Sequence, residues 1–588
     1  MKPISRIFIL LLLASASYVT SYAQENQSYI LHTIEKGQNL YSISKMYNVT
    51  TTDIIRLNPG CEEKIYAGQT IKIPQGQASQ KGETFHTIQA GETLYKLTTL
   101  YKVSAKAICD ANPGLSAENF RIGQVIRIPL EEEKTTASTI QPPVEQTAIQ
   151  GPVQSRCKDM HKVKRKETIF SVSREYGISE QELIAANPEL KEGMKKGQFL
   201  CIPYPNAVTL EPTQKEDLNV IPPSNSELFN KIKEAPEEIS TIKAALILPF
   251  HEEKRMVEYY EGFLMAIDSL KRTGTSIDLY VYESGKDASA INNILSKKEM
   301  QKMNIIFGPM HQQHIKPLSD FAQKNDIRLV IPFSQNSEEV FNNPSIYQIN
   351  TPQSYLYSKV YEHFTRQFPN AHVIFIEPTS PDKDKAEFIK GLKQELKSKG
   401  ISMNSVSEND TKETLKAALR SDKENIFIPT SGSNVLLIKA LPQLTMLVRE
   451  APDQRVHLFG YPEWQTYTLD HLEKFFELDV YFYSSFYMNT LFPAAIQFTN
   501  AYHKWYSKDL TSKYPNYAML GFDTGFFFLK GLSRFGSELE NNLPKMNLTP
   551  IQTGFLFERV NNWGGFINKK VFFIHFTKNF ELEKLDFE

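Results

Sequence analysis

Few side chains in this 588-residue sequence are arranged as catalytic or metal-binding motifs. Gly-x-Ser-x-Gly, His-Glu-x-x-His and Gly-x-x-x-x-Gly-Lys-Ser/Thr are absent, and no segment has the pattern of a catalytic cysteine. His311 and His314 could share a helix face and chelate a metal, but no nearby cysteine or carboxylate completes a site. No carboxylate pair stands out for glycoside hydrolysis. The sequence therefore predicts a protein that is not an enzyme and that needs no metal or cofactor.

A different set of polar and turn-forming residues recurs in three copies, at residues 29–74, 85–129 and 160–203. Each copy has a histidine near its start, an Asn-Pro pair in its middle and Gly-Gln before its last apolar residues. The histidines are His32, His86 and His161, and the pairs are Asn58-Pro59, Asn112-Pro113 and Asn187-Pro188. Such self-similarity indicates one small structural unit used three times.

The local pattern of each copy predicts a strand, two helices and a second strand. Asn39, Thr93 and Thr168 are N-cap candidates, each followed by apolar residues on one helical face. The second helix must end near the Asn-Pro pair, since proline disfavours helix at the residue before it. The closing strand alternates, as in Ile71-Lys72-Ile73.

The three copies resemble LysM domains, the βααβ modules that bind N-acetylglucosamine polymers such as peptidoglycan and chitin. The resemblance covers residues 29–75, 84–130 and 156–204. It implies a shallow sugar groove between the strand-1/helix-1 loop and the helix-2/strand-2 loop. The glycan-binding residues it implies are Gly37, Gln38, Asn39, Leu40, Asn58, Pro59 and Gly60; Gly91, Glu92, Thr93, Leu94, Asn112, Pro113 and Gly114; and Glu167, Thr168, Ile169, Asn187 and Pro188.

Backbone amides at a turn and a helix N-terminus suit an acetamido group, and apolar side chains can cover its methyl. The third copy has Lys166 where the others have glycine, which is unfavourable if that turn needs a positive φ. The alternative is that these residues are only caps and turn formers. Three weak sites on one chain would reinforce one another through effective concentration.

The N-terminus has the pattern of a secretory signal peptide, residues 1–23. Lys2 and Arg6 precede the apolar run 7–14, and Ser21-Tyr22-Ala23 provides small residues for cleavage. A short membrane anchor is the alternative, but the run is too short to span a bilayer, and no cysteine follows it to accept a lipid. No later stretch is apolar for about 18 residues, so no transmembrane segment is expected.

Export allows disulfides, and the four cysteines fall in the repeats. Cys157 and Cys201 bracket the third copy and are candidates for a pair. Cys61 and Cys109 lie in different copies and either bridge them or remain buried thiols. Residues 131–155 and 205–240 are predicted linkers, exposed and semi-extended, or alternatively ordered loops packed on a neighbour.

From residue 241 to 588 short β-rich runs alternate with longer amphipathic helices. The predicted strands are 243–249, 277–284, 304–309, 327–333, 372–378, 425–430, 456–461 and 479–485. Continuous apolar strands alternating with helices indicate parallel sheets covered on both faces. The length exceeds one core, so two α/β lobes are expected.

This region resembles the type I periplasmic binding proteins, the branched-chain amino-acid receptor group. The resemblance is carried by Pro249, Glu261-Gly262, Asp287, Phe307-Gly308-Pro309, Ile331-Pro332-Phe333-Ser334, Gly521-Phe522-Asp523 and Trp563-Gly564-Gly565 with Asn568. It implies two Rossmann-like lobes that close on a ligand. The implied cleft residues are Phe250, His251, Pro309, Met310, His311, Ser334 and Gln335, with Gly521 and Asp523 as weaker candidates. Met310-His311 stands where that group commonly has a small hydroxyl residue, so amino-acid binding is not expected.

Lys and Arg number 66 against 67 Asp and Glu, so bulk charge does not favour nucleic acid or an anionic membrane as partner. The leading hypothesis is an exported, periplasmic protein that LysM repeats hold on peptidoglycan or another N-acetylglucosamine-containing glycan. Its two-lobed domain would bind a small ligand. The alternative is a non-enzymatic regulator or scaffold whose two-lobed domain contacts a cell-wall synthesis protein. A hydrolase is a third hypothesis, since LysM modules often accompany cell-wall hydrolases.

Overall fold

The computed structural model describes residues 29–35, 38–62, 65–74, 83–129, 157–163, 167–176, 183–184, 186–187, 190, 199–203, 222–233, 235, 237–379, 384–489, 492–510 and 515–587. The predicted signal peptide, Gly37, Lys166, Pro188 and the linker 131–155 lie outside these residues, as does the predicted linker before residue 222. The described part separates into two units. The larger unit contains the first two repeats and everything from residue 223 onward, and the smaller contains the third repeat.

Each repeat pairs its first and last strands antiparallel, with the helical segment between them, as predicted. In the first repeat the elements are β1 Tyr29–Thr33, α1 Leu40–Met46, α2 Thr51–Leu57 and β2 Thr70–Pro74. In the second they are β3 Glu83–Thr87, α3 Leu94–Tyr101, α4 Ala105–Ala111 and β4 Val125–Pro129. In the third the described elements are β5 Cys157–Lys162, α5 Ile169–Tyr176 and β6 Phe199–Pro203.

The predicted helix limits of the repeats are confirmed. The side chain of Asn39 accepts a hydrogen bond from the Ser42 amide, and that of Thr93 accepts one from the Lys96 amide, so both residues are N-caps. The second helices of the first two repeats end at Leu57 and Ala111, two residues before the prolines.

The segment predicted as the second linker contains a helix, α6 Asn225–Ile232. A capping box between Ser224 and Glu227 starts it. Its apolar residues Leu228, Phe229 and Ile232 pack against the core of the second repeat. This part of the chain is therefore an ordered element packed on a neighbour, and the expectation of a semi-extended tether is wrong for it.

The remainder forms two seven-stranded sheets, each covered by helices, and the chain passes between them three times. The first segment contains β7 Ile242–Leu248, α7 Lys254–Arg272, β8 Ile277–Glu283, α8 Ala288–Leu295, β9 Ile305–Phe307, α9 Ile315–Lys324, β10 Arg328–Ile331 and β11 Ile346–Gln348. The second contains α10 Tyr357–Gln367, β12 Ala371–Glu377, α11 Ala386–Ser398, β13 Ser402–Ser407, α12 Lys412–Ala417, β14 Glu424–Pro429, α13 Asn434–Glu450, β15 Val456–Gly460, α14 Thr468–Glu477 and β16 Val480–Ser484. The third contains α15 Pro493–Tyr506, α16 Tyr517–Phe535, α17 Leu539–Asn542, β17 Phe557–Arg559 and β18 Phe566–Asn568, and the last contains β19 Phe572–Phe576 and β20 Leu582–Asp586.

The first and third segments build lobe 1, with strand order β17-β18-β11-β10-β9-β7-β8, and the second and last build lobe 2, with order β13-β12-β14-β15-β16-β19-β20. Neighbouring strands pair in parallel except for β17–β18 in lobe 1 and for β16–β19 and β19–β20 in lobe 2. Along β7, Ala244 and Leu246 enter one hydrophobic cluster while Ala245 and Ile247 enter another. This confirms the predicted sheets with both faces covered.

The first two repeats pack directly against lobe 1. Trp563, in the turn between β17 and β18, is only 2% exposed because its indole lies in the core of the first repeat. Its ring contacts those of Tyr47 and Phe85, and the Arg127 guanidinium lies 5.3 Å from its centre. At the edge of this contact Lys45 forms an ion pair of 2.9 Å with Glu338. None of the described helices combines the length and the apolar character needed to cross a bilayer.

Candidate functional site

One hydrogen-bonded network recurs in all three repeats at constant spacing. The Nε2 of His32 donates to the Gln38 Oε1 at 2.7 Å, and the Tyr47 hydroxyl donates to its Nδ1 at 2.8 Å. His86 has the same contacts with Glu92 at 2.7 Å and Tyr101 at 2.8 Å. His161 has them with Glu167 at 2.9 Å and Tyr176 at 3.1 Å. In each repeat the network joins the first strand, the following loop and the end of the first helix.

Gln38 and Glu92 therefore serve the fold through their side chains. The Gln38 side-chain carbonyl accepts a hydrogen bond from the Glu35 amide at 3.0 Å, and the Glu92 carboxylate accepts one from the Gln89 amide at 2.7 Å. These bonds fix the turn between the first strand and the first helix. Burial opposes the charge on Glu92, but the Gln89 amide and His86 together hold the pKa of its carboxyl below the ordinary value. The sequence signal for this network was available in the spacing of histidine, Gln/Glu and tyrosine, at +6 and +15.

The asparagines of the Asn-Pro pairs are also engaged within the repeats. The Asn58 side chain donates to the carbonyls of Ile54 and Lys72 and accepts from the Lys72 amide at 2.8 Å. Asn112 repeats this pattern with Ile108 and Arg127. Their carboxamides tie the second helix to the closing strand, so they shape one wall of the predicted groove without offering groups to a ligand.

The groups left for a ligand in the first repeat are backbone amides. Asn39 caps the Ser42 amide, whereas the amides of Leu40 and Tyr41 have no hydrogen-bond partner among the described residues. Leu40 is half-buried and Pro59 and Gly60 on the opposite wall are exposed, so an apolar surface lies beside the amides. Gly60 has φ +95°, a backbone conformation that favours glycine. This arrangement can accept a carbonyl oxygen and cover a small apolar group.

The second repeat has the same elements, but both walls of its groove are engaged by other parts of the chain. The Leu94 amide donates to the Oδ1 of Asn225 at 2.8 Å, and Leu94 is fully buried. Across the groove, the Gly114 amide donates to the carbonyl of Asn562 at 2.8 Å. A Cβ on Gly114 would approach the Arg559 side chain to 2.6 Å, so only glycine fits here.

In the third repeat the described candidates behave as in the other two. Thr168 caps α5 by accepting the Ser171 amide at 3.1 Å, and Asn187 donates to the Leu183 carbonyl at 2.8 Å. Cys157 and Cys201 lie on the paired strands β5 and β6, but their side chains are outside the described residues. Cys61 and Cys109 are free thiols, so of the two alternatives the unbridged one holds.

The cleft candidates of the two-lobed domain lie at the carboxyl ends of β7, β9 and β10, along one edge of the lobe 1 sheet. His251 contacts Glu283 through Nδ1 at 2.7 Å, and His311 lies 3.7 Å from Glu252. Ser334 donates to Gln312 at 2.7 Å, and Gln335 donates to Asn350 at 3.2 Å. Phe250 and Met310 pack against the lobe 1 core beside this edge, and Pro309 follows Gly308 in a cis peptide.

The two weaker candidates have roles in packing instead. Gly521 lies where α16 crosses α7, and a Cβ there would overlap the carbonyl of Tyr259. Asp523 is buried and accepts the amides of Ile551, Gln552 and Thr553, each at 2.8 Å. Burial raises the pKa of its carboxyl to about 6, although the three amides oppose this shift. Among the residues described, no three His, Cys, Asp or Glu side chains cluster in a way that could hold a metal ion.

The LysM domain family model matches residues 32–74, 86–129 and 161–203, which are the three repeats described above. The chain contains three LysM domains. They are followed by a two-sheet α/β domain with the strand orders given above.

Curated relatives match the chain over the LysM region. The endolysin of Bacillus phage PZA is 30% identical over 98 residues, which is 16% of this chain and 36% of the relative. The probable N-acetylmuramoyl-L-alanine amidase AmiB of Haemophilus influenzae is 27% identical over 165 residues, 28% of this chain and 30% of the relative. The chain thus spans about a third of the length of these relatives.

A solved structure similar to the C-terminal domain is that of a branched-chain amino acid ABC transporter protein from Rhodospirillum rubrum. It is 12% identical, with a TM-score of 0.42, and covers 59% of this chain and 100% of that chain. The two-lobed α/β fold of this domain is therefore assigned from its own strand order and from the three passages of the chain between the lobes.

Proposed function

We propose that this is an exported, non-catalytic protein that binds peptidoglycan or a related N-acetylglucosamine glycan through its LysM domains. It thereby holds a periplasmic-binding-protein-like domain at the cell wall. The observation that carries the proposal is the match of three repeats to the LysM domain family model. In the first repeat, the amides of Leu40 and Tyr41 have no hydrogen-bond partner among the described residues, which supports it. The signal-peptide pattern of residues 1–23 supports a periplasmic, wall-associated location.

The groove chemistry suits an N-acetylated sugar. Two amides at the start of α1 would donate hydrogen bonds to the acetamido carbonyl oxygen, and the helix dipole adds to that attraction. Beside them Leu40 is apolar and the Asn39 side chain is bonded within the repeat, while the Tyr41 hydroxyl is bonded to Glu338 of lobe 1. Each site is small and shallow, which implies weak binding per repeat and a gain from several repeats on one chain.

The test is sedimentation of the mature chain with purified sacculi and with chitin. Leu40→Glu places a carboxylate at the start of α1, where it competes for the amides, and the helix dipole favours it. Leu100→Glu makes the same change at a position of α3 that is 58% exposed. We expect Leu40→Glu to weaken sedimentation about tenfold and Leu100→Glu to leave it unchanged. Retention of the unaltered chain in the supernatant with both polymers would contradict the proposal.

The two-lobed domain has two candidate roles. A small ligand between the lobes follows from the candidate residues at the lobe 1 sheet edge, where ligands of open α/β sheets bind. A protein partner, such as a cell-wall synthesis protein, is the second candidate, because Ser334 bonds to Gln312 and Gln335 to Asn350 within lobe 1 and these two cleft candidates are thus engaged without a ligand. A melting screen with amino acids, peptides and muropeptides separates these roles, because only a bound ligand raises the melting temperature of the domain.

A further inference from the structure

A segment of the same chain, helix α6, packs on the second LysM domain beside its predicted groove. Helix α6 lies against both helices of this repeat and reaches from the start of α3 to the loop before β4. Phe229 stacks edge-on against Phe120 of that loop, with ring centres 6.4 Å apart. The first contact lies at the wall formed by the strand-1/helix-1 loop, and Phe120 belongs to the helix-2/strand-2 loop that forms the other wall. Gly114 of that second loop is held separately, by the carbonyl of Asn562 in lobe 1.

The contact at the first wall has the chemistry expected of the glycan itself. The Asn225 side chain ends in a carboxamide, whose carbonyl oxygen is an amide oxygen like that of the acetamido substituent of N-acetylglucosamine. Its Oδ1 accepts the Leu94 amide at 2.8 Å. The corresponding amide in the first repeat, that of Leu40, has no partner among the described residues.

Apolar contact accompanies this hydrogen bond. Leu228, Phe229 and Ile232 pack on the cluster that contains Leu94, Leu97 and Leu115. Leu94 is completely buried, whereas Leu40 in the first repeat is half-buried. The helix thus covers the apolar wall that a sugar methyl would contact.

The helix is also held close to its groove. After Lys233 the chain returns to lobe 1, where Glu237 exchanges two hydrogen bonds with Ser537 at 2.9 and 3.1 Å. Lys233 lies 4.0 Å from Glu538. A tether this short gives a high effective concentration, so modest contacts suffice to keep the helix docked.

We infer that α6 is an intramolecular occupant of the second LysM groove and that helix and glycan exclude one another there. This inference rests on the proposed glycan binding. In the resting chain the second repeat is closed, and it binds glycan only when the helix is displaced. An occupant docked about 99% of the time lowers the apparent affinity of that groove about a hundredfold.

The experiment is hydrogen–deuterium exchange of the mature chain, with and without saturating hexa-N-acetylchitohexaose. The double variant Leu228→Asp/Phe229→Asp removes the apolar face by which α6 packs on the second repeat. The double variant Ser226→Asp/Asn230→Asp is the control, because it adds the same charge on the exposed face of the same helix. We expect about tenfold faster exchange of residues 222–233 in the first variant alone. In the Leu228→Asp/Phe229→Asp variant, the sugar should protect both residues 38–43 and residues 91–97 from exchange. In the unaltered chain and in the control variant, it should protect residues 38–43 but not residues 91–97.

The outcomes separate the two proposals. If the sugar protects 38–43 but leaves 91–97 unprotected in the released variant, the inference about α6 is overturned and glycan binding stands. If the sugar protects 91–97 equally in the unaltered chain without faster exchange of 222–233, helix and glycan do not compete, and the inference is overturned. If the sugar protects no repeat in any variant, glycan binding itself is refuted, and the role of α6 with it.

Discussion

Truncation of Trp563 to alanine should detach the first two LysM domains from lobe 1. The indole belongs to a lobe 1 turn by sequence, but it is buried among Tyr47 and other core residues of the first repeat and Phe85 of the second. A buried tryptophan covers about 150–250 Å², which at about 25 cal/mol per Å² corresponds to about 4–6 kcal/mol as an upper bound. Measured losses for buried aromatic-to-alanine changes are about 3–5 kcal/mol.

The other contacts between these parts are smaller. The Lys45–Glu338 pair is partly exposed and contributes about 0–1 kcal/mol. The hydrogen bonds from Tyr41 to Glu338 and from Arg127 to Asn342 contribute about 1 kcal/mol each. Loss of about 4 kcal/mol lowers the docking equilibrium constant by roughly three orders of magnitude. Trp563 is therefore the largest single contribution among these contacts, while the hydrogen bonds of Asn562 with Gly114, Gln124 and Val125 add about 1 kcal/mol each.

The assay is hydrogen–deuterium exchange together with calorimetry of the full chain. In Trp563→Ala we expect faster exchange in β1 and β3 and a separate, earlier melting transition for the first two repeats, with the strands of lobe 1 unchanged. Trp505→Ala is the matched control, because Trp505 is 43% exposed on α15. If Trp563→Ala melts in the same transitions as the unaltered chain with unchanged exchange, the assignment of docking energy to this side chain is refuted.

Three further predictions concern the repeats. Glu92→Gln should change the local free energy of unfolding by less than about 0.5 kcal/mol, because the first repeat already has Gln38 in this place. Glu92→Ala should cost about 1–3 kcal/mol, because it leaves the Gln89 amide unpaired. Denaturant-dependent hydrogen exchange of residues 83–92 measures both effects, and equal effects would contradict the network. The hydrogen bond from Tyr41 holds the pKa of Glu338 below its ordinary value of 4.5. The ionised carboxylate therefore stabilises docking of the first repeat on lobe 1 above pH 4.5, and this contribution is lost as the pH falls through the lowered pKa. Trp563 fluorescence should report the loosened contact in acid, and an unchanged acid response in Tyr41→Phe would count against this cause. Burial raises the pKa of Cys109 to about 11 and also raises that of Cys61. Iodoacetamide should therefore label both thiols far more slowly in the folded protein at neutral pH than in denaturant. A peptide map that shows the two cross-linked would contradict their assignment as free thiols.

Much of the fold could be predicted because its signals are local and repeated. Asn39 and Thr93 are caps whose partners lie three residues away, and the prolines end α2 and α4 through the residue before them. Eight of the fourteen described strands of the two lobes are short apolar runs that the sequence predicts, with limits that differ by a few residues at most. The other six, β11, β13 and β17–β20, are not among the predicted runs. Such features need no knowledge of distant residues.

The sequence alone could not predict contacts between distant residues. It also could not predict whether a side chain in a binding loop contacts a ligand or bonds within the repeat. Nothing in the sequence near Trp563, which lies in the β17–β18 turn, indicates insertion into a repeat more than 400 residues earlier. The eight residues of α6 are too few for a clear helical period, and their partner is the second repeat. Gln38 and Glu92 lie in the predicted binding loop, yet their side chains bond to histidines of the first strand, a role that depends on how the loop closes.

The packing of the first two repeats against lobe 1 has a mechanical consequence for the proposed function. If a glycan strand pulls on the first repeat, the force enters the two-lobed domain at the β17–β18 turn, through Trp563 and the Lys45–Glu338 pair. Lobe 2 is joined to that loaded body by the three passages of the chain between the sheets. With the proposed anchorage, lobe 1 would be the fixed mount, and any opening or closing of the domain would be a displacement of lobe 2 relative to the wall.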